Sequence, residues 1–151
     1  MQTTSKSIET LNDLIQINND RVAGFEKAAA ELKEDQDDLK SVFHQLAGQS
    51  RTNANQLAGY VSGQGGEPEH DTSASGAIHR AWIDVKATLG GDDRKSILQE
   101  CERGEDAIKK AYQSALKPEN ELTNEEKEIV RIQQQGIITS HDRIKAMRDS
   151  A

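Results

Sequence analysis

Apolar residues recur along this chain at alternating spacings of three and four, the period of a helix that buries one face. The first run joins Ile8, Leu11, Ile15, Val22, Phe25, Ala29 and Leu32, with Asn18 as the polar residue in its seam. A second joins Leu39, Phe43, Leu46, Leu57 and Tyr60 and carries Ser50 and Asn53 at its middle. A third joins Leu98, Cys101, Ile108, Tyr112 and Ala115, with Glu105 standing where an apolar residue belongs. The fourth joins Val130, Ile137, Ile144 and Met147, interrupted by Gln133 and Ser140. The pattern predicts long helices over residues 5–33, 37–62, 93–116 and 123–149. Ile78, Trp82, Val85 and Leu89 predict a shorter one over residues 73–89.

The punctuation between these runs supports the division. Ser5 or Ser7 is expected to cap the first helix, and "KEDQDD" supplies a short polar turn to the second. The second stops in "SGQGGEPEHD", where glycines and Pro68 forbid continuation. Gly90 and Gly91 stop the short helix, Pro118 stops the third long one, and Thr123 with Glu126 forms a capping box for the last. Short turns make antiparallel hairpins of helices one with two and three with four. The long connection between the hairpins has enough length to cross from one end of the bundle to the other. The expected fold is therefore all-α, a four-helix bundle of two hairpins with ferritin-like connectivity and an extra short helix in the crossover.

Composition narrows the function classes. With 151 residues the chain suits one domain, and two Phe, two Tyr, one Trp and two Pro argue against a β-sandwich. A net charge of −7 with no basic stripe argues against nucleic acid as a partner. No apolar run approaches the roughly 18 residues that span a bilayer, and "MQTTSKSIETL" lacks a signal peptide's apolar region, so the expectation is a cytoplasmic protein with no membrane partner. Cys101 is the single cysteine, which excludes an internal disulfide, and no Cys or His lies near it at zinc-ligand spacing. There is no phosphate-binding loop and no nucleophile elbow.

The candidate chemistry lies in the seam interruptions. Asn18, Ser50, Asn53, Glu105 and Gln133 all fall about halfway along their helices and are expected to meet in one polar layer. A buried carboxylate needs donors, a proton or a cation. Donors from Asn18, Asn53 and Gln133 would make a self-satisfied layer that fixes helix register, and on that reading Glu105→Gln raises stability. The alternative is a noncanonical metal or small-ligand site around Glu105, with Glu102 one turn away and His44 beside the core; iron or another divalent ion is the cofactor it would take. His141 is expected at the edge of the core, two turns from Gln133. Asp20 and Glu26 reach the centre only if helix one rotates from its seam, and Glu100 and Asp106 are expected to face solvent.

Four stretches, "LNDLIQINNDRVAGFEKAA", "FHQLAGQSRTNANQLAGYV", "GGEPEHDTSASGAIHRAWIDVK" and "ECERGEDAIKKAYQSAL", resemble the uncharacterised bacterial ferritin-like four-helix-bundle proteins, a domain of unknown function. The resemblance covers about residues 8–148 and is most specific in "HRAWIDVK" with "ECERGED". It implies a ferritin-like fold and a cytoplasmic bacterial protein, and no activity. More distant ferritin-like relatives bind two irons, and this chain departs from their pattern with Asn18, Asn53 and Gln133 where acids or His are needed. The expectation is a non-enzymatic bundle, stress-associated or scaffolding, with a degenerate di-metal site. A homodimer through helix faces bearing Leu14 and Val42 is expected as its assembly.

Overall fold

The computed structural model describes residues 3–32, 36–71 and 94–151. They form α1 (Ser5–Glu31), α2 (Asp37–Gly63), α3 (Arg94–Ala115) and α4 (Asn124–Asp149), with a 3-10 turn at Pro118–Asn120. The short helix expected over 73–89 lies outside the described residues.

Local chemistry sets the helix ends. The cap of α1 is Thr4, not Ser5 or Ser7. Thr4 Oγ1 accepts from the Ser7 backbone N–H while Ser7 Oγ accepts from that of Thr4, both at 3.1 Å. This reciprocal box satisfies two donors that the first turn leaves open. α2 stops where Gly65 takes φ 83, a left-handed conformation that glycine adopts without strain. Gly66 N–H then returns to the Val61 carbonyl at 3.0 Å. α4 opens on the Thr123 and Glu126 capping box, and Thr3 also donates to Glu126 at 2.9 Å.

These contacts establish the topology. α1 packs on α2 and α3 on α4. Arg94, the first residue of α3, donates to Gln36 Oε1 at 2.9 Å and Asp38 Oδ2 at 2.7 Å, at the start of α2. The far end of α2 lies near Thr3, whose hydroxyl stands 3.5 Å from Tyr60 Oη and bonds Glu126 at the start of α4. The chain between α2 and α3 therefore joins opposite ends of the bundle, and two hairpins with an end-to-end crossover result.

Leu39, Phe43 and Leu57 of α2, Leu98, Cys101 and Ile108 of α3, and Val130, Ile137 and Ile144 of α4 are fully buried, as their seams require. α1 keeps the expected seam at Leu11, Ile15, Asn18, Phe25 and Ala29, each 2% exposed or less, and departs from it at Val22. Its inward face runs through Leu11, Leu14, Asn18, Arg21, Phe25 and Ala28, all 1% exposed or less, whereas Val22 sits at the edge of the core. This ladder keeps steps of three and four without a gap, the spacing that holds one face against a neighbour. Reading Val22 as the seam residue follows its apolar character, but the geometry assigns the position to Arg21. Leu14 and Val42, expected on dimer faces, are 1% and 6% exposed within the bundle itself.

Candidate functional site

Arg21 and Glu105 meet in the middle of the bundle, each side chain 0% exposed. The guanidinium grips the carboxylate with two parallel bonds, Nε to Oε1 at 2.7 Å and Nη2 to Oε2 at 2.8 Å. Nη1 donates to Gln49 Oε1 at 2.6 Å, to Ser50 Oγ at 2.9 Å and to the Leu46 carbonyl at 3.3 Å. Ser140 Oγ donates to the same Gln49 oxygen at 3.1 Å, so all four helices contribute. The planar fork matches a carboxylate bidentately and offers further donors outward, which is how a buried arginine is satisfied. Phe25 closes the cluster below, its ring centroid 5.3 Å from the guanidinium carbon.

One turn along α1 lies a second cluster, centred on the Tyr112 hydroxyl. That oxygen accepts from Asn18 Nδ2 at 2.8 Å and donates to Gln133 Oε1 at 2.8 Å. Asn53 Nδ2 donates to Asn18 Oδ1 at 3.3 Å, and Gln133 Nε2 to Gln56 Oε1 at 2.8 Å and to the Asn53 carbonyl at 3.3 Å. The five residues expected in one layer thus divide. Asn18, Asn53 and Gln133 gather around Tyr112, while Ser50 and Glu105 gather around Arg21. Sequence reading missed both hubs. Tyr112 was visible only as a seam residue, and Arg21 was hidden by the apolar Val22 beside it, although its place in the gapless ladder is the signal that marks it.

The metal candidates are not brought together. Glu105 is engaged by Arg21, and Glu102 is gripped by Arg148 of α4. His44 is exposed and faces Glu26 of α1, with Nδ1 3.5 Å from a carboxylate oxygen. Among the described residues no group of three His, Cys, Asp or Glu side chains is placed to hold a metal ion. Of the remaining positions, Glu100 departs from its expected solvent-facing place, whereas Asp106 is exposed as expected. Asp20 is 4% exposed, although α1 keeps a seam. Glu100 is turned inward, with one oxygen on Arg103 at 3.1 Å and the other buried without a hydrogen-bond partner. Asp106, although half exposed, bonds His141 Nε2 at 2.6 Å, and Asp142 holds the other ring nitrogen at 3.1 Å.

Burial favours the neutral, protonated form of two interior groups, Tyr112 and Cys101. Burial pushes the Tyr112 phenol up to about 12, against smaller opposing effects from the Asn18 hydrogen bond and the Arg21 charge. Burial likewise pushes the Cys101 thiol well up, with Glu105 and Glu100 adding to it, so this cysteine is an inert core residue. The consequence for stability has a defined sign. An unfolded tyrosine ionises near pH ~10 and the folded one near 12, so the stability due to this group is complete below pH ~10 and is lost as pH rises toward 12. In a Cys101→Ala background, which removes the thiol's parallel effect, urea unfolding should weaken by up to ~1.4 kcal/mol per pH unit across that window. The additional Tyr112→Phe change should reduce the slope to the part left by Tyr60, whose phenol is also raised by burial; a slope unchanged by it would show that Tyr112 does not titrate in this window.

The fold defines the class: two antiparallel hairpins with an end-to-end crossover are a ferritin-like four-helix bundle. A crystal structure of ferritin like, diiron-carboxylate proteins from Bacillus anthracis str. Ames matches with a TM-score of 0.66 over 96% of each chain, at 17% sequence identity. The chain belongs to the DUF2383 family, a domain of unknown function, whose family model matches residues 6–118. The match takes in α1, α2 and α3, and thus both Arg21 and Glu105; α4 follows it. No curated protein matches the chain. No helix among the described residues is long and apolar enough to cross a membrane.

Proposed function

We propose that this protein is a non-enzymatic ferritin-like bundle, of a scaffolding or stress-associated kind, in which an arginine–glutamate pair stands at the bundle centre instead of a di-metal site. The observation that carries the reading is the two-pronged Arg21–Glu105 contact, both side chains 0% exposed. Di-iron carboxylate bundles place a Glu from each of two helices and a Glu-x-x-His pair from each of the other two around the ions. Here the two mid-bundle clusters present the amides of Asn18, Asn53 and Gln133, the Tyr112 hydroxyl and Glu105, whose two oxygens already accept from a guanidinium. These residues do not fit two iron ions. Amides are poor substitutes for bridging carboxylates, and the fixed positive charge of Arg21 repels a cation approaching Glu105. The separation of Glu102 and His44 from Glu105 weighs against the noncanonical metal site as well.

Metal analysis of protein purified without an affinity tag tests this. The expected result is no stoichiometric iron, manganese or zinc, before or after Glu105→Gln. A stoichiometric metal that disappears in Glu105→Ala would overturn the proposal.

A further inference from the structure

We infer that the outer face shared by α2 and α4 is the contact surface of an antiparallel homodimer. The chain carries 30% charged residues and a net charge of −7, so most faces of one copy repel the same faces of another. This face is different. From Gln45 to Gln64 the only charged residue of α2 is Arg51, and it is turned away to Glu26 of α1 at 3.2 Å. The two helices are adjacent along the face, held by the Gln45–Arg143, Gln49–Ser140 and Gln56–Gln133 side-chain bonds. Ile132 lies near its middle and is 63% exposed, the one large hydrophobic residue left exposed among the described residues. On α2 the space over Gly48 and Gly59 is open, with nothing within 4 Å of a Cβ built at either.

The occupant follows from charge and size. On α4 the face is the stripe Glu125, Ile129, Ile132, Gly136, Thr139 and Arg143, spaced by fours and threes. Its two charges stand at opposite ends, negative at Glu125 and positive at Arg143, and the exposed Glu128 flanks it four residues before Ile132. Arg143 is held on the face by its 2.9 Å bond to Gln45 Oε1. A two-fold axis crossing the stripe midway between these charges, in the plane of the face and perpendicular to the helices, runs two copies antiparallel. It lays the Arg143 of each copy over the Glu125 of the other and buries both Ile132 side chains at the centre. No other orientation of two identical faces brings both end charges onto opposite ones. The stripe from Glu125 to Arg143 is about 27 Å long and two helix widths about 20 Å, hence about 550 Å² per copy, the size of a small, reversible interface. An isologous contact of this kind closes as a dimer and goes no further. The inference does not depend on what the bundle interior holds.

Sedimentation equilibrium on the full chain tests it. The expected result is a reversible dimer at micromolar concentration. Ile132→Glu should weaken it by more than about tenfold, because it places two like charges in the dry centre, while Ile132→Leu should leave it unchanged. Arg143→Glu should weaken the dimer, and Arg143→Glu combined with Glu125→Arg should restore it, since the swapped charges again face each other across the axis. A chain that stays monomeric up to roughly 100 µM, above the affinity expected of an interface this size, would overturn the inference. So would a dimer indifferent to Ile132→Glu with its helical signal intact. Failure of the charge swap to restore association would overturn the antiparallel arrangement.

Discussion

Removing either partner of the central ion pair, by Arg21→Ala or Glu105→Ala, is expected to lower the unfolding free energy by about 3–5 kcal/mol. The reason is not that the pair is strongly favourable. Two charges taken out of water recover the desolvation penalty only because each satisfies the other, and either one left alone keeps that penalty uncompensated. Both side chains are 0% exposed, so water does not replace the missing partner. Glu105→Gln should lose most of the same stability, because the amide offers the guanidinium one neutral acceptor in place of two anionic ones. This reverses the sign expected for a lone buried carboxylate, which amidation would relieve. The double replacement Arg21→Met with Glu105→Leu should return to within about 1 kcal/mol of the parent or exceed it. Urea midpoints at neutral pH, with unchanged slopes, measure all of these. Single-variant losses below about 1 kcal/mol would mean that the pair is wetter than the structure has it.

Phe25→Ala is expected to cost about 3–5 kcal/mol, the usual loss for emptying a large aromatic site in a packed core. Its ring is 0% exposed, lies 5.3 Å from that of Phe43 at an interplanar angle of 39°, and faces the Arg21 guanidinium. Two effects are therefore separable. Phe25→Leu keeps most of the apolar volume but removes the quadrupole beneath the cation, and should cost less, about 1–2 kcal/mol. If part of that loss comes from the cation, it should vanish when Phe25→Leu is made in the Arg21→Met, Glu105→Leu background. Thermodynamic cycles over these variants give the coupling, expected near 0.5–2 kcal/mol. A cost unchanged by the background would assign the whole effect to packing.

The architecture was legible because its signals are local. Periodicity at three and four, the Thr123 and Glu126 capping box, and the turn residues around Gly65 and Pro118 each act within a few residues of where they are written. The polar interruptions at Asn18, Ser50, Asn53, Glu105 and Gln133 were equally visible as positions. Their grouping was not. Asn18 and Ser50 sit at similar heights in two sequence seams, yet one reaches Tyr112 and the other Arg21, because side-chain length and direction decide which turn of a neighbouring helix is met. The inward turn of Glu100 and the exposure of His44 were hidden for a related reason. Each stands one helical position from a seam, where a small rotation of the helix decides between core and solvent.

Sequence alone thus determined the number and order of the long helices, their pairing into two hairpins, and the presence of a glutamate in a core seam at mid-bundle. Tertiary structure decided that Arg21 and not Val22 turns inward, and with it how that glutamate is satisfied. Arg21 and Val22 differ by one residue, about 100° around the helix. Intrinsic hydrophobicity favours Val22 for the interior. Arg21 takes the place because Glu105, 84 residues along the chain, together with Gln49, Ser50 and the Leu46 carbonyl, supplies the partners that a buried guanidinium requires. Such a pairing leaves no periodic trace in the chain, since its energy comes from groups on three helices that only the folded bundle brings together.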